Sequence, residues 1–291
     1  MNKLFLCALL ISCFTCTVQT LRAQSPVDLN ESRSNKTLVR KYKSVTGILG
    51  AFPEEIKFLL TQMQQKKQEL VQNILFTQGK LNGRDVIVAQ TGIGKVNAAI
   101  VTILMVEHFQ PEEIIFTGIA GGINPDLSPG DLVIGTRIAH HDFGTITPDS
   151  LLRRPTRDPS TMIENPLYFK SDTALVRLAM RAGNKVQLEP IRKEGKEEAP
   201  HVITGTIVTG DVFVSSSGAT EQLRKKMNAD ATEMEGAAVA QVCWQQLVPF
   251  VIIRSISDNA GNTAYADIKN FYQSAARNSA HLVMEMVKGK K

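Results

Sequence analysis

Short apolar runs alternate along this chain with longer stretches in which apolar residues recur every three to four positions. Runs of β type occupy residues 45–49, 113–117, 131–137, 202–209 and 250–256, each short enough for a buried strand. Helical periodicity covers 53–71, 96–108, 173–182, 219–227, 235–246 and about 268–288. Residues 74–80 and 85–89 flank Asn82-Gly83, a dipeptide that favours the tight turn of a hairpin. This order predicts the α/β class, a three-layer α/β/α sandwich with a central mixed sheet and helices on both faces. Two segments, 145–166 and 189–200, are rich in Pro and charge and are expected to be surface loops.

The first 23 residues follow another pattern. Lys3 precedes an apolar stretch from 4 to about 18, and polar residues then lead to Leu21-Arg22-Ala23. That pattern is a secretory signal peptide cut after Ala23, so the mature chain is expected to be exported, into the periplasm. A variant reading takes Leu10-Ile11-Ser12-Cys13 as a lipoprotein box, with the anchor on Cys13. Residues 24–43 are polar and aperiodic, a linker, and a single domain is expected over 44–291. Cys7, Cys13 and Cys16 all leave with the leader. Only Cys243 remains, so no intramolecular disulfide forms, and its place in a helix marks it as a small buried hydrophobe. No later run is long enough for a membrane span.

Composition narrows the partners. Hydrophobic residues make up 43% of the chain, enough for a sizeable core. The net charge of +5 falls to +3 once Lys3 and Arg22 are removed, and aromatics are 6%. With no basic stripe, this balance is too weak to argue for a nucleic-acid partner, and none is expected. Lys288, Lys290 and Lys291 read as a solvated tail, and Met284 and Met286 as core or helix-end residues.

Two glycine clusters stand out. Thr91-Gly92-Ile93-Gly94-Lys95 lacks the spacing of a P-loop or of a dinucleotide fingerprint. Thr117-Gly118-Ile119-Ala120-Gly121-Gly122 follows an apolar strand, where its glycines let backbone approach a ligand. Either cluster also serves as a plain structural turn. Glu54 and Glu55 follow Pro53 where a strand hands over to a helix, a place that acids favour on helix-dipole grounds alone. Glu233-Met234-Glu235 begins a small-residue helix, and Asp258 ends the run 250–256 on the side where α/β sheets bind ligands.

Seven segments together resemble, in order and spacing, the nucleoside phosphorylase superfamily and, within it, the 5′-methylthioadenosine/S-adenosylhomocysteine nucleosidases. They are GILGAFPEE at 47–55, GKLNG at 79–83, GIGKVNAA at 92–99, TGIAGG at 117–122, TGDVF at 209–213, EMEGA at 233–237 and RSISD at 254–258. The resemblance implies a nucleoside phosphorylase-like fold and cleavage of the N-glycosidic bond of an adenine nucleoside, without cofactor or metal. It casts Asp258 as the acid at adenine N7 and Glu55 as the carboxylate that activates water. Glu235 would hold the ribose hydroxyls, with Met234 under the sugar, Phe213 stacked on the base and the Val214 backbone at its edge. Ser257 and Arg254 would position Asp258. Thr91, Ile119 and Glu233 complete the candidate substrate-binding set.

Alternatives stay open within this resemblance. A phosphorylase would need cations around a phosphate, yet Phe116 and Ile119 stand where such relatives carry Arg and Ser. A non-catalytic exported nucleoside-binding protein is a reading from another class. His140-His141-Asp142 hints at a metal but better suits a rim loop or subunit contact. The resemblance further implies a homodimer, with Tyr265, Phe271 and the segment 145–166 as candidates near the 5′ end of the substrate.

Overall fold

The computed structural model describes residues 43–148, 150–193 and 196–290. The expected leader, its Cys13 variant and the linker up to residue 42 lie outside the described residues, as does Lys291. The chain runs through β1 (Lys43–Gly50), α1 (Pro53–Gln62), β2 (Gln64–Val71), β3 (Ile74–Leu81), β4 (Arg84–Gln90), α2 (Lys95–Phe109), β5 (Pro111–Gly122) and β6 (Leu132–His140). The short strands β7 (Gly144–Ile146), β8 (Leu151–Arg153) and β9 (Phe169–Lys170) follow, then α3 (Thr173–Gly183), β10 (Ile191–Lys193) and β11 (Lys196–Glu198). The last part comprises β12 (Val202–Thr209), α4 (Ser217–Met227), β13 (Ala231–Glu233), α5 (Gly236–Gln246), β14 (Phe250–Asp258) and α6 (Ala264–Lys288).

The main sheet has the order β13-β12-β6-β14-β5-β1-β4-β3-β2, with β9 beside β6. Its central strands are apolar on both faces because both faces are covered. Leu49, Ile114, Phe116 and Ile252 point to one side, under α2 and α5. Their neighbours Ile48, Ile115, Val251 and Ile253 point to the other, against α1, α3 and α6. The result is the expected three-layer arrangement. One further feature sets the site: β13 pairs in parallel with β12 and also antiparallel with the end of β5, Thr232 opposite Gly121. The sheet thereby closes on itself at this end, and Glu233 is carried to the tip of β5.

Three expectations needed correction. The helix expected over 53–71 stops at Gln62, where Met63 turns extended and buries its side chain. Residues 64–69 offer no apolar stripe for a helix to bury, whereas β3 offers an open ladder, and β2 pairs with it through a turn at Gln72 and Asn73 with φ of 50° and 65°. Lys66 and Lys67 on this outer strand discourage pairing with other chains. Secondly, the two expected loops carry small hairpins, β7 with β8 and β10 with β11. Thirdly, Lys290 is no solvated tail: its ammonium lies 2.6 Å from Glu112, 2.8 Å from Glu113 and 2.8 Å from the Thr46 hydroxyl, clamping the C-terminus to β1 and β5. Among the described residues no helix is long and apolar enough to cross a membrane.

Candidate active site

The ends of β1, β5, β13 and β14 converge on an open-mouthed cavity. Glu55, Ile119, Phe213, Glu233, Met234, Glu235, Ser257 and Asp258 line it, joined by Phe52, Ala120, Gly121, Thr232 and Ile268.

Glu55 stands in the first turn of α1, behind Pro53, and its carboxylate is almost wholly buried. One oxygen accepts from the backbone N–H groups of Ala51 and Phe52, the other from Ile119 N–H at 2.9 Å. Burial pushes its pKa above the usual carboxylate range, while Arg254 and these three donors pull it back. Gly118 makes this approach possible, since a Cβ there would stand 2.5 Å from Glu55 Oε1 and 2.7 Å from Arg254 Nη1. Ser279 on α6 fixes that strand end, bonding the Thr117 hydroxyl at 2.6 Å and accepting from Gly118 N–H at 3.2 Å.

Glu233 and Glu235 have different surroundings. Glu233 accepts from the Thr209 hydroxyl, from the N–H groups of Glu235 and Gly236, and from Arg254 Nη2 at 2.6 Å. Arg254 is 1% exposed, and its guanidinium lies 4.0 Å over the Phe116 ring. It therefore sits behind the cavity wall and pairs with Glu233 in place of touching Asp258. Glu235 has one anchor, Gly94 N–H at 2.8 Å. Burial, with Glu233 beside it, pushes the Glu235 carboxyl up to about 8.

That shift has a measurable consequence. At pH below 4.5 the carboxyl is neutral in folded and unfolded chains alike. As pH rises the unfolded chain ionises first, so stability is lost between 4.5 and about 8. Glu235→Gln escapes this loss and keeps an oxygen for Gly94 N–H. The variant is expected to melt higher than wild type above about pH 8 and equally near pH 4; equal melting across the whole range contradicts this electrostatic account.

Asp258 ends β14 at 1% exposure. Its oxygens accept from the Ser257 hydroxyl at 2.9 Å and from Ala260 N–H at 2.7 Å. Burial raises its pKa, against these two donors. Gly121 leaves the space it needs, a Cβ there falling 3.0 Å from Asp258 Oδ1.

Besides Arg254, two more candidates, Thr91 and Val214, fall outside the lining. The Thr91 hydroxyl is spent on the carbonyl of Gly92 at 3.0 Å, with Gly50 at 3.4 Å. Val214 is half-buried next to Phe213. Tyr265, largely exposed, packs its ring 4.6 Å from that of Phe213 at the cavity mouth. Cys243 is fully buried and its thiol pKa is raised by burial. Among the described residues no group of three or more His, Cys, Asp or Glu is placed to hold a metal ion. Sequence reasoning missed Phe52, Thr232 and Ile268 on the wall and Ser279 behind it.

Comparison with known proteins follows the same outline. Residues 45–288 match the family model of the Phosphorylase superfamily. The 5′-methylthioadenosine/S-adenosylhomocysteine nucleosidase of Geobacillus sp. (strain WCH70) is 38% identical over 241 residues, 82% of this chain and 96% of that protein. The corresponding nucleosidase of Neisseria meningitidis, solved in complex with methylthio-immucillin-A, has a TM-score of 0.73 and 36% identity, covering 85% of this chain and 100% of that one. The native futalosine hydrolase of Helicobacter pylori strain 26695 has a TM-score of 0.72 and 30% identity, over 85% and 98%.

Proposed function

Since the chain belongs to the phosphorylase superfamily, with 5′-methylthioadenosine/S-adenosylhomocysteine nucleosidases as relatives over nearly all of its described length, we propose that it hydrolyses the N-glycosidic bond of adenine nucleosides. The products are adenine and the 5′-substituted ribose, with methylthioadenosine and S-adenosylhomocysteine as substrates. One observation carries this reading: among the described residues, four carboxyl groups and no Lys, Arg or His line the cavity.

Three of these carboxyls are prepared for different tasks, while Glu233 holds Arg254. Asp258, with its raised pKa, holds a proton for the leaving base, and the Ser257 hydroxyl and Ala260 N–H are in place to receive the anion left behind. Glu55 is held at both oxygens by backbone donors, so its remaining lone pairs have a fixed direction for orienting a water. Glu235 is anchored at one oxygen, leaving the other for ribose hydroxyls. The carboxyl oxygens turned toward the sugar also favour the positive charge of an oxocarbenium-like transition state. Met234 and Phe213 supply the apolar walls for sugar and base.

Phosphorolysis is disfavoured by the same wall. Arg254 is committed to Glu233 at 2.6 Å and is shielded by Phe116, and the Ile119 N–H is spent on Glu55. A phosphate dianion would meet carboxyl oxygens without a compensating cation. Release of adenine from methylthioadenosine by the purified protein tests the reading; binding without release would make the chain a nucleoside-binding protein. Kinetics with methylthioadenosine, S-adenosylhomocysteine, 5′-deoxyadenosine and aminodeoxyfutalosine rank the 5′ substituents.

The reading extends to assembly and location. Exposed apolar side chains gather at the start of α2, at Ile93, Val96 and Ile100, and along the segment after β6, at Phe143, Ile146, Leu152, Met162 and Ile163. Such surface suits a homodimer, which light scattering of the purified protein checks; a monomer at micromolar concentration contradicts it. The leader pattern supports export, with a mature chain starting at Gln24. Mass spectrometry of the native N-terminus decides: a retained Met1 contradicts export, and a diacylglyceryl Cys13 selects the lipoprotein variant.

A further inference from the structure

Three segments distant in sequence meet beside the cavity: the glycine turn before α2, the end of β6 and the loop after β12. Lys95 N–H donates to Asp211 Oδ1 at 2.8 Å, and Lys95 Nζ donates to Asp142 Oδ1 at 2.6 Å. The other Asp142 oxygen accepts from Asp211 N–H at 2.8 Å. Asp142 thus bridges the two remaining segments, one oxygen to each. Burial works against its charge, but the Lys95 hydrogen bond and the Asp211 N–H outweigh it and hold the carboxyl below its ordinary pKa.

Both clamped segments carry parts of the cavity. One residue before Lys95, Gly94 N–H anchors Glu235. Two residues after Asp211, Phe213 forms the apolar wall. Glycines permit the close fit: Gly94 has φ of +93°, and a Cβ at Gly210 would stand 2.3 Å from His141 Cε1, so that imidazole packs directly on the loop backbone.

We propose that Asp142 is a positioning residue, which holds the Phe213 ring and the anchor of Glu235 in one frame for an adenine nucleoside. The proposal rests on the reading of the cavity given above. The Lys95–Asp142 pair is partly buried, 19% and 22% exposed, but the three segments are each tied to a strand or helix of their own, so the fold does not hang on this cluster alone. A misplacement of the order of an ångström in a binding wall, by contrast, is costly to catalysis.

The test compares Asp142→Asn and Asp142→Ala in wild-type and Phe213→Ala backgrounds. It reads adenine release from methylthioadenosine and, separately, adenine affinity by calorimetry. Asp142→Ala is expected to lower kcat/KM by about tenfold or more, chiefly through KM, and to weaken adenine binding alongside, with the fold retained at the assay temperature. In the Phe213→Ala background the same change should cost clearly less, because only the Glu235 anchor is then left for it to position. Asp142→Asn, which retains the shape and one acceptor, should fall between, and it keeps the test open if the alanine variant does not fold. Equal losses in both backgrounds, or wild-type kinetics and adenine affinity in Asp142→Ala, would overturn the proposal. Wild-type protein that binds adenine but releases none would instead overturn the hydrolase reading, leaving the affinity comparison to decide the role of Asp142.

Discussion

Replacing Asp258 by Asn is expected to lower turnover of methylthioadenosine by at least about a hundredfold, in the range of general acid–base groups, without unfolding the protein. The surroundings make this a clean substitution. The Asn oxygen still accepts from Ala260 N–H, and its amide donates to the Ser257 hydroxyl, which then turns to the Ala120 carbonyl at 3.3 Å. What disappears is the transferable proton. Since Asp258 acts protonated and its pKa is raised by burial, wild-type activity should decline as pH rises through that pKa, and the residual activity of the variant should lack this limb. Near-normal turnover, or an unchanged alkaline limb, would remove Asp258 from the acid's role.

Glu55→Gln should cost a similar factor for a different reason. Both Glu55 oxygens accept backbone N–H groups, so an amide must point its NH₂ at a donor on one side, and the base is lost as well. Gly118→Ala probes the same geometry while leaving the Glu55 side chain chemically unchanged. The added methyl would lie 2.5 Å from Glu55 Oε1 and 2.7 Å from Arg254 Nη1. Neither neighbour yields readily, because Ile119 N–H fixes one and Glu233 the other. Turnover is expected to drop by about a hundredfold, assayed on folded protein verified by circular dichroism; activity within about threefold of wild type would show that Glu55 needs no fixed position.

The parts of this fold that could be read from sequence are those whose signal is local. β1, β5 and β14 are continuous apolar runs because both faces are buried, and the Asn82-Gly83 hairpin lies where its turn chemistry puts it. β2 could not be read, since its residues are polar on either interpretation and only the open edge of β3 selects the strand. β13 is three residues long, too short for periodicity, yet it closes the sheet and delivers Glu233. The carboxylates were found through a pattern of motifs, not through spacing. The links that hold them, Ser279 to Gly118 and Asp142 to Asp211, join residues remote in sequence and become visible only once the chain is folded.

Product analysis in the absence and presence of phosphate tests the central claim most directly. The carboxylate-lined cavity, with Arg254 committed to Glu233, predicts that methylthioadenosine gives adenine and free methylthioribose in phosphate-free buffer, and that added phosphate yields no sugar 1-phosphate. Turnover that requires phosphate and produces the 1-phosphate would contradict hydrolysis and make the protein a phosphorylase.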